Sequence, residues 1–94
     1  MSSTQTYAQY VIDGIDGATL RPMMGEYLLY YQGKLVGGIY DNRLLVKPTP
    51  SAKRLLPNAS YQLPYQGAKA MLLIEELDDK PFLTQLLTAV ANDL

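Results

Sequence analysis

The sequence predicts an α+β domain built on an antiparallel sheet of four to five strands. The predicted order is helix, three strands, helix, one or two strands, helix. Three observations predict it. Residues 21–47, RPMMGEYLLYYQGKLVGGIYDNRLLVK, read as three strands joined by two tight turns, and turns that short join only antiparallel neighbours. Residues 70–77, AMLLIEEL, read as a later strand. Near the C-terminus Phe82, Leu83, Leu86, Leu87, Val90 and Leu94 recur at helical spacing. The length, 94 residues, suits one domain spanning 1–94.

Each element has a local reason. Thr4 or Thr6 can cap a first helix that runs to about Asp13, with Val11, Ile12 and Ile15 apolar near its end. Gly14 and Gly17 stop it, and residues 17–24 are expected to be a connection. The first strand is expected over 25–31. Gln32-Gly33 turns it, because glycine takes the positive φ that a hairpin turn demands. The second strand covers 34–40, Asp41-Asn42 turns it, and the third covers 43–47. Thr49 with Pro50 starts a short helix, the Pro falling where a missing N–H is harmless, and Pro57 ends it. Residues 60–63 can pair as a short strand. Asp78 or Asp79 caps the final helix, expected over 80–92.

Period two assigns the faces of the strands. Tyr27, Leu29 and Tyr31 oppose Leu28 and Tyr30; Leu35 and Ile39 oppose Val36 and Tyr40; Leu44 and Val46 oppose Leu45; Met71 and Leu73 oppose Leu72 and Ile74. Both faces are apolar, whereas a sheet wet on one side alternates. Something must therefore shelter each face. Helices on both sides would suffice, but only the last helix carries a full apolar stripe. A second copy of the chain is the expected cover for the remainder, with Tyr27, Tyr30, Tyr31 and Tyr40 as interface residues. Tyrosine suits that role because its ring is apolar and its hydroxyl stays wet.

Composition narrows the chemistry. Hydrophobic residues make up 48% and charged residues 18%, which fits a globular chain and not a disordered one. Eight Lys and Arg balance nine Asp and Glu, for a net charge of −1, so no overall field draws the molecule to nucleic acid. Cysteine and histidine are both absent, which removes disulfides, thiolate ligands and imidazole bases. The N-terminus shows no secretory pattern and no apolar run reaches bilayer length, so a cytoplasmic protein without a membrane role is expected. The sequon at Asn58-Ala59-Ser60 is then incidental. No metal or cofactor is called for.

The middle of the chain resembles the TfoX N-terminal domain family, the Sxy or DNA-competence regulator type. The resemblance rests on Arg21, Met23, Met24 and Gly25, on the strands that follow to Lys47, and on Pro64-Tyr65-Gln66-Gly67-Ala68-Lys69 with Met71. Together these blocks cover about residues 21–76. Met24 stands where that family usually has Phe, Pro22 interrupts the approach to Met23, and Leu72, Leu73 and Ile74 replace an aromatic pattern. The resemblance implies an antiparallel sheet with helices, similar to secretion-chaperone-like folds. It also implies a link to regulation; longer members carry a second, helical domain.

Candidate chemistry is sparse. Arg21, Arg43, Lys47 and Lys69 can converge on an anion or an acidic partner, or can be solvated strand-end charges that discourage edge pairing. Tyr65 and Lys69 can face a pocket, with Gly67 allowing close backbone approach; equally, the segment can be a loop whose Tyr65 packs on the core. Gly67-Ala68-Lys69 lacks the spacing of a phosphate loop. The acidic run Glu75, Glu76, Asp78 and Asp79 reads as capping for the last helix. Met23, Met24 and Met71 read as core filler. Ser51 and Lys53, expected on a short exposed helix, are wrongly spaced for Ser-Lys catalysis. The reading is a non-enzymatic regulatory or adaptor domain that acts by protein contact. It is expected to be homodimeric, with a further regulatory partner possible in kind and direct nucleic-acid binding disfavoured. Its contacts would fall on Arg21, Met24, Gly25, Tyr65, Gly67 and Lys69. The alternative is a binder of small anionic ligands that uses Arg21 and residues 65–69.

Overall fold

The computed structural model describes residues 2–94. Its elements are α1 (Gln5–Ile12), β1 (Ala18–Met23), β2 (Glu26–Tyr31), β3 (Lys34–Ile39), β4 (Leu44–Val46), α2 (Pro50–Leu55), β5 (Tyr61–Gln62), β6 (Met71–Ile74) and α3 (Lys80–Asp93). All strand pairs are antiparallel, in one sheet of order β1-β2-β3-β4-β6-β5. The α+β class holds, with six strands in place of four to five. Residues 17–24 are not a mere connection. Residues 18–23 form β1, which pairs with β2 from Ala18↔Tyr31 to Met23↔Glu26.

The missed hairpin turns on Met24-Gly25, with φ of 52° and 86°. Two consecutive positive φ values make the tight turn that matches strand twist. Gln32-Gly33 (51°, 82°) and Asp41-Asn42 (53°, 53°) repeat it. Gly and Asn announce such turns, whereas a methionine in the first place does not. The caps follow the sequence closely. Thr4, Thr49 and Asp79 each accept a hydrogen bond from a backbone N–H in the first turn of α1, α2 and α3.

A second correction concerns β3. Leu29 pairs with Gly37 but Tyr30 pairs with Leu35, so Val36 is the extra residue of a bulge. The bulge resets the alternation, and Val36 joins Ile39 on one face while Leu35 joins Tyr40 on the other. All three helices lie on the first face. There Leu29, Val36, Ile39, Leu44, Val46, Leu72 and Ile74 pack with Val11 of α1, Ala52 of α2, and Leu83, Leu86, Leu87 and Val90 of α3. Each buried Val, Leu or Ile side chain among them contributes roughly 1.5–3 kcal/mol relative to exposure. The second face carries no helix.

Two glycines let strands approach. A Cβ on Gly37 would run into the backbone of Leu45 and Val46, and one on Gly38 into the ring of Tyr40 and the Tyr27 carbonyl. Backbone cannot step aside as a flexible side chain can. Gly37→Ala is therefore expected to cost about 1–3 kcal/mol in denaturant unfolding.

The two helices α2 and α3 are joined end to end by Asp93. Its carboxylate accepts from the Ser51 N–H at 2.8 Å and the Ser51 hydroxyl at 3.0 Å. Ser51 is thus buried and occupied, not exposed as expected. The Ser51 N–H bond, helped by hydroxyl bonds from Ser51 and Thr49 and by the charge of Arg54, holds the Asp93 carboxyl below its ordinary value. A carboxyl with a depressed folded-state pKa stabilises above its unfolded pKa, and the gain is lost as pH falls through the folded value. The melting-temperature gap between the wild type and Asp93→Ala is expected to be full at neutral pH and to close only below about pH 4.

Candidate functional site

Register places Thr19, Arg21 and Met23 of β1, Leu28 and Tyr30 of β2, Leu35, Gly38 and Tyr40 around β3, Leu45 in β4, and Met71 and Leu73 in β6 on the helix-free face. Over β4 and β6 this face is roofed by residues 63–70. Leu45 is fully buried there, outside the helix-side cluster. The Tyr40 ring lies over Gly38, and Tyr65 of the roof meets it with ring centres 6.1 Å apart at 54°. Burial, with Tyr65 and Glu26 nearby, pushes the Tyr40 hydroxyl up from its ordinary pKa and keeps it protonated.

The roof is fastened by Arg43. Its guanidinium donates to Gln62 Oε1 at 2.8 Å, to the Leu63 carbonyl at 3.2 Å and to the Tyr40 carbonyl at 3.1 Å. A planar fork of five donors can serve several oxygens at once, which an ammonium cannot. Arg43 is therefore a brace between the β3–β4 turn and the segment after β5, and its donors are spent on the chain itself. At the loop tip Gly67 adopts φ +89°, and the Ala68 N–H closes the turn on the Tyr65 carbonyl at 3.2 Å.

Between this roof and β2–β3 runs a groove of about 490 Å3, within the roughly 300–1,000 Å3 of small-molecule clefts. Leu28, Leu35 and Met71 of the strands line it with Tyr40, and Pro64, Tyr65 and Ala68 line it from the roof. Lys47, Lys69 and Leu94 also line it. Because β4 and β6 are antiparallel, with Val46 opposite Leu72, the residue after β4 and the residues before β6 come to the same end of the sheet. Lys47 and Lys69 thus share one end, while Tyr40 marks the other. Lys34 braces the lysine end by donating to the Ala91 and Leu94 carbonyls at 3.1 and 3.2 Å.

The expected contact residues divide. Tyr65 and Lys69 line the groove. Gly67 shapes the loop and does not line it. Arg21 is exposed and stands opposite Leu28, at the side of the groove but not in it. Met24 and Gly25 form the tip of the β1–β2 hairpin. Met24 is 97% exposed and is not core filler; Met23 is half-buried on the helix-free face, and Met71 is a groove wall. Of the expected interface tyrosines, Tyr31 and Tyr40 are buried within the chain. The Tyr31 hydroxyl pairs with that of Thr88 at 3.1 Å, and Tyr27 packs on the helix-side core. Only Tyr30 of the four is half-exposed on the helix-free face. Sequence reasoning missed Leu28, Leu35 and Leu94 as groove residues. The alternation within β2 isolates Leu28 from the core set, but the bulge that turns Leu35 to the same side has no signature besides the Gly37-Gly38 pair. Among the described residues no cluster of three or more acidic, His or Cys side chains could hold a metal ion, and no helix is long and apolar enough to cross a membrane.

Removing the brace tests this geometry. Arg43→Gln is expected to cost about 2 kcal/mol and to speed amide exchange selectively in residues 62–70. Arg43→Lys should recover little, since one ammonium cannot span three oxygens.

No family model matches the chain, and no solved structure does. The chain is 35% identical over 99 aligned positions to an uncharacterised 12.7 kDa protein in the trpE 5′ region of Spirochaeta aurantia, covering the whole of this chain and 85% of that protein. An identity of this level over the whole of this chain means that this chain and the Spirochaeta aurantia protein belong to one family.

Proposed function

We propose that this chain is a non-enzymatic regulatory or adaptor domain of the TfoX N-terminal type, and that it works by protein contact through the β1–β2 part of its helix-free face. The observation that carries the reading is the set of apolar side chains left open beside the roof: Met23 and Tyr30 are half-exposed on either side of Arg21, and Met24 stands almost wholly in solvent at the hairpin tip.

The edges of the sheet favour contact by face and not by strand addition. Met23 and Glu26 flank a two-residue turn, so they exchange both backbone bonds. The next pair, Pro22↔Tyr27, therefore directs the backbone of residue 22 outward. Proline there costs the ladder nothing and removes a donor from the edge. The Ala18 N–H is already taken by the Ile15 carbonyl at 3.3 Å. At the opposite edge β5 has two residues. Short and donor-poor edges resist pairing with other strands.

The simplest partner is a second copy, with the strip of one protomer on the strip of its partner about a two-fold axis. Sedimentation equilibrium at tens of micromolar is expected to show a dimer. The pair Met23→Glu and Tyr30→Glu should return a monomer with unchanged circular dichroism. A wild type that stays monomeric would refute self-association, and retention of the dimer by the double variant would move the contact elsewhere.

A further inference from the structure

The groove differs from the exposed strip in one respect: its charge lies at one end. Leu28, Tyr40 and Tyr65 line it elsewhere, whereas Lys47 and Lys69 line it where β4 ends and β6 begins. Among the described residues, neither ammonium donates to a protein oxygen, in contrast to Lys34 and Lys80, whose ammonium groups bond backbone carbonyls at 2.8–3.2 Å. Two uncommitted cations at the mouth of an apolar slot, in a chain whose net charge is −1, are a local and not a global feature. Burying apolar surface favours a hydrocarbon, and a nearby cation pair favours an anion at one end of it.

We infer that the groove is a binding site for a small amphipathic carboxylate, with its hydrocarbon between Leu28, Tyr40 and Tyr65 and its carboxylate between Lys47 and Lys69. The polarity of the slot fixes the orientation of the ligand. The Tyr40–Tyr65 ring pair and the Arg43 brace lie at the Tyr40 end, so the hydrocarbon lies toward them and the anion toward the lysines. Tyr40 is held protonated and adds no negative charge to oppose a ligand. The acidic residues Glu75 and Glu76 lie past the far end of β6, beyond Ile74, away from Lys69. This assignment does not rest on the protein-contact reading, because the strip and the slot use different side chains and either could stand alone.

Titration calorimetry of the full chain with decanoate, decanol and decylamine tests it, alongside the double variant Lys47→Gln, Lys69→Gln. Both lysines are on the surface side of the fold, so folding should survive; circular dichroism and the melting temperature check this. Decanoate is expected to bind at least tenfold more tightly than decanol, and decylamine more weakly still. The double variant should lose at least tenfold in decanoate affinity and leave decanol unchanged. A second variant, Tyr65→Ser, exposed by 58% in the fold, should weaken both decanoate and decanol. Equal affinities for decanoate and decanol would overturn the assignment, as would an unaltered decanoate affinity in the double variant or no binding at millimolar ligand. A slot filled instead by a second copy would appear as a dimer that decanoate neither binds nor dissociates. A slot that takes an acidic, leucine-ended peptide but not decanoate would equally overturn it.

Discussion

The structure depends on one constraint: a sheet that is apolar on both sides has its helices on only one. The helix side is settled by bulk packing, since α1, α2 and α3 together bury every inward aliphatic of β2, β3, β4 and β6. The other side has to be closed with what remains, and what remains is an irregular segment between two short strands. A loop laid over an apolar surface needs its own carbonyls satisfied, because unpaired polar groups near the interior are costly. Arg43 meets that need with several donors from one rigid plane. The groove is the space that this solution leaves open, so the candidate site and the way the fold is finished have the same origin.

The same economy runs through the meander. Three hairpins turn on two residues each, all with positive φ. Tight turns fix register, and a register slip of one residue would exchange the two faces. Val36 shows how much depends on this. One added residue in β3 carries Leu35 across to the groove and brings Val36 into the core. The glycines that follow allow β3 to lie close to β4 and leave room for the Tyr40 ring. Glu26 secures the same end of the sheet: its carboxylate accepts from the Ser3 hydroxyl at 2.7 Å and the Asp41 N–H at 3.0 Å. It thereby ties the N-terminal segment to the β3–β4 turn.

Much of this was legible in the residues. The caps Thr4, Thr49 and Asp79, the turns at Gln32-Gly33 and Asp41-Asn42, and the stripe of α3 carry their physics locally. Residues 18–23 did not, because alternation in β1 is blurred by Pro22 and its turn begins with a methionine. The bulge was invisible for a related reason. A bulge is a relation between two strands, and period two read along one strand cannot register it. The sequence shows the two lysines of the groove as charges near strand ends, and Tyr65 and Lys69 as a unit. That Lys47 shares their space follows from the pairing of β4 with β6, which brings together residues far apart in the chain. By residue type Arg43 belongs with the ligand-seeking cations; only its geometry assigns it to the chain's own carbonyls.

The strand order has a consequence for how the chain acquires its shape. The contacts of β1 to β4 join sequence neighbours through the shortest possible connections, so the entropy lost in closing each is small. Pairing of β6 with β4 must instead gather a long intervening stretch that holds α2 and β5. Contacts between distant parts of a chain form later than those between near ones. A meander formed first has both of its apolar faces bare, because α3 follows β6 in the chain, and β6 with β5 must still be added to the sheet. Until that arrival Lys69 has no fixed place beside Lys47, and the nascent domain is most exposed to capture by chaperones or by its own kind.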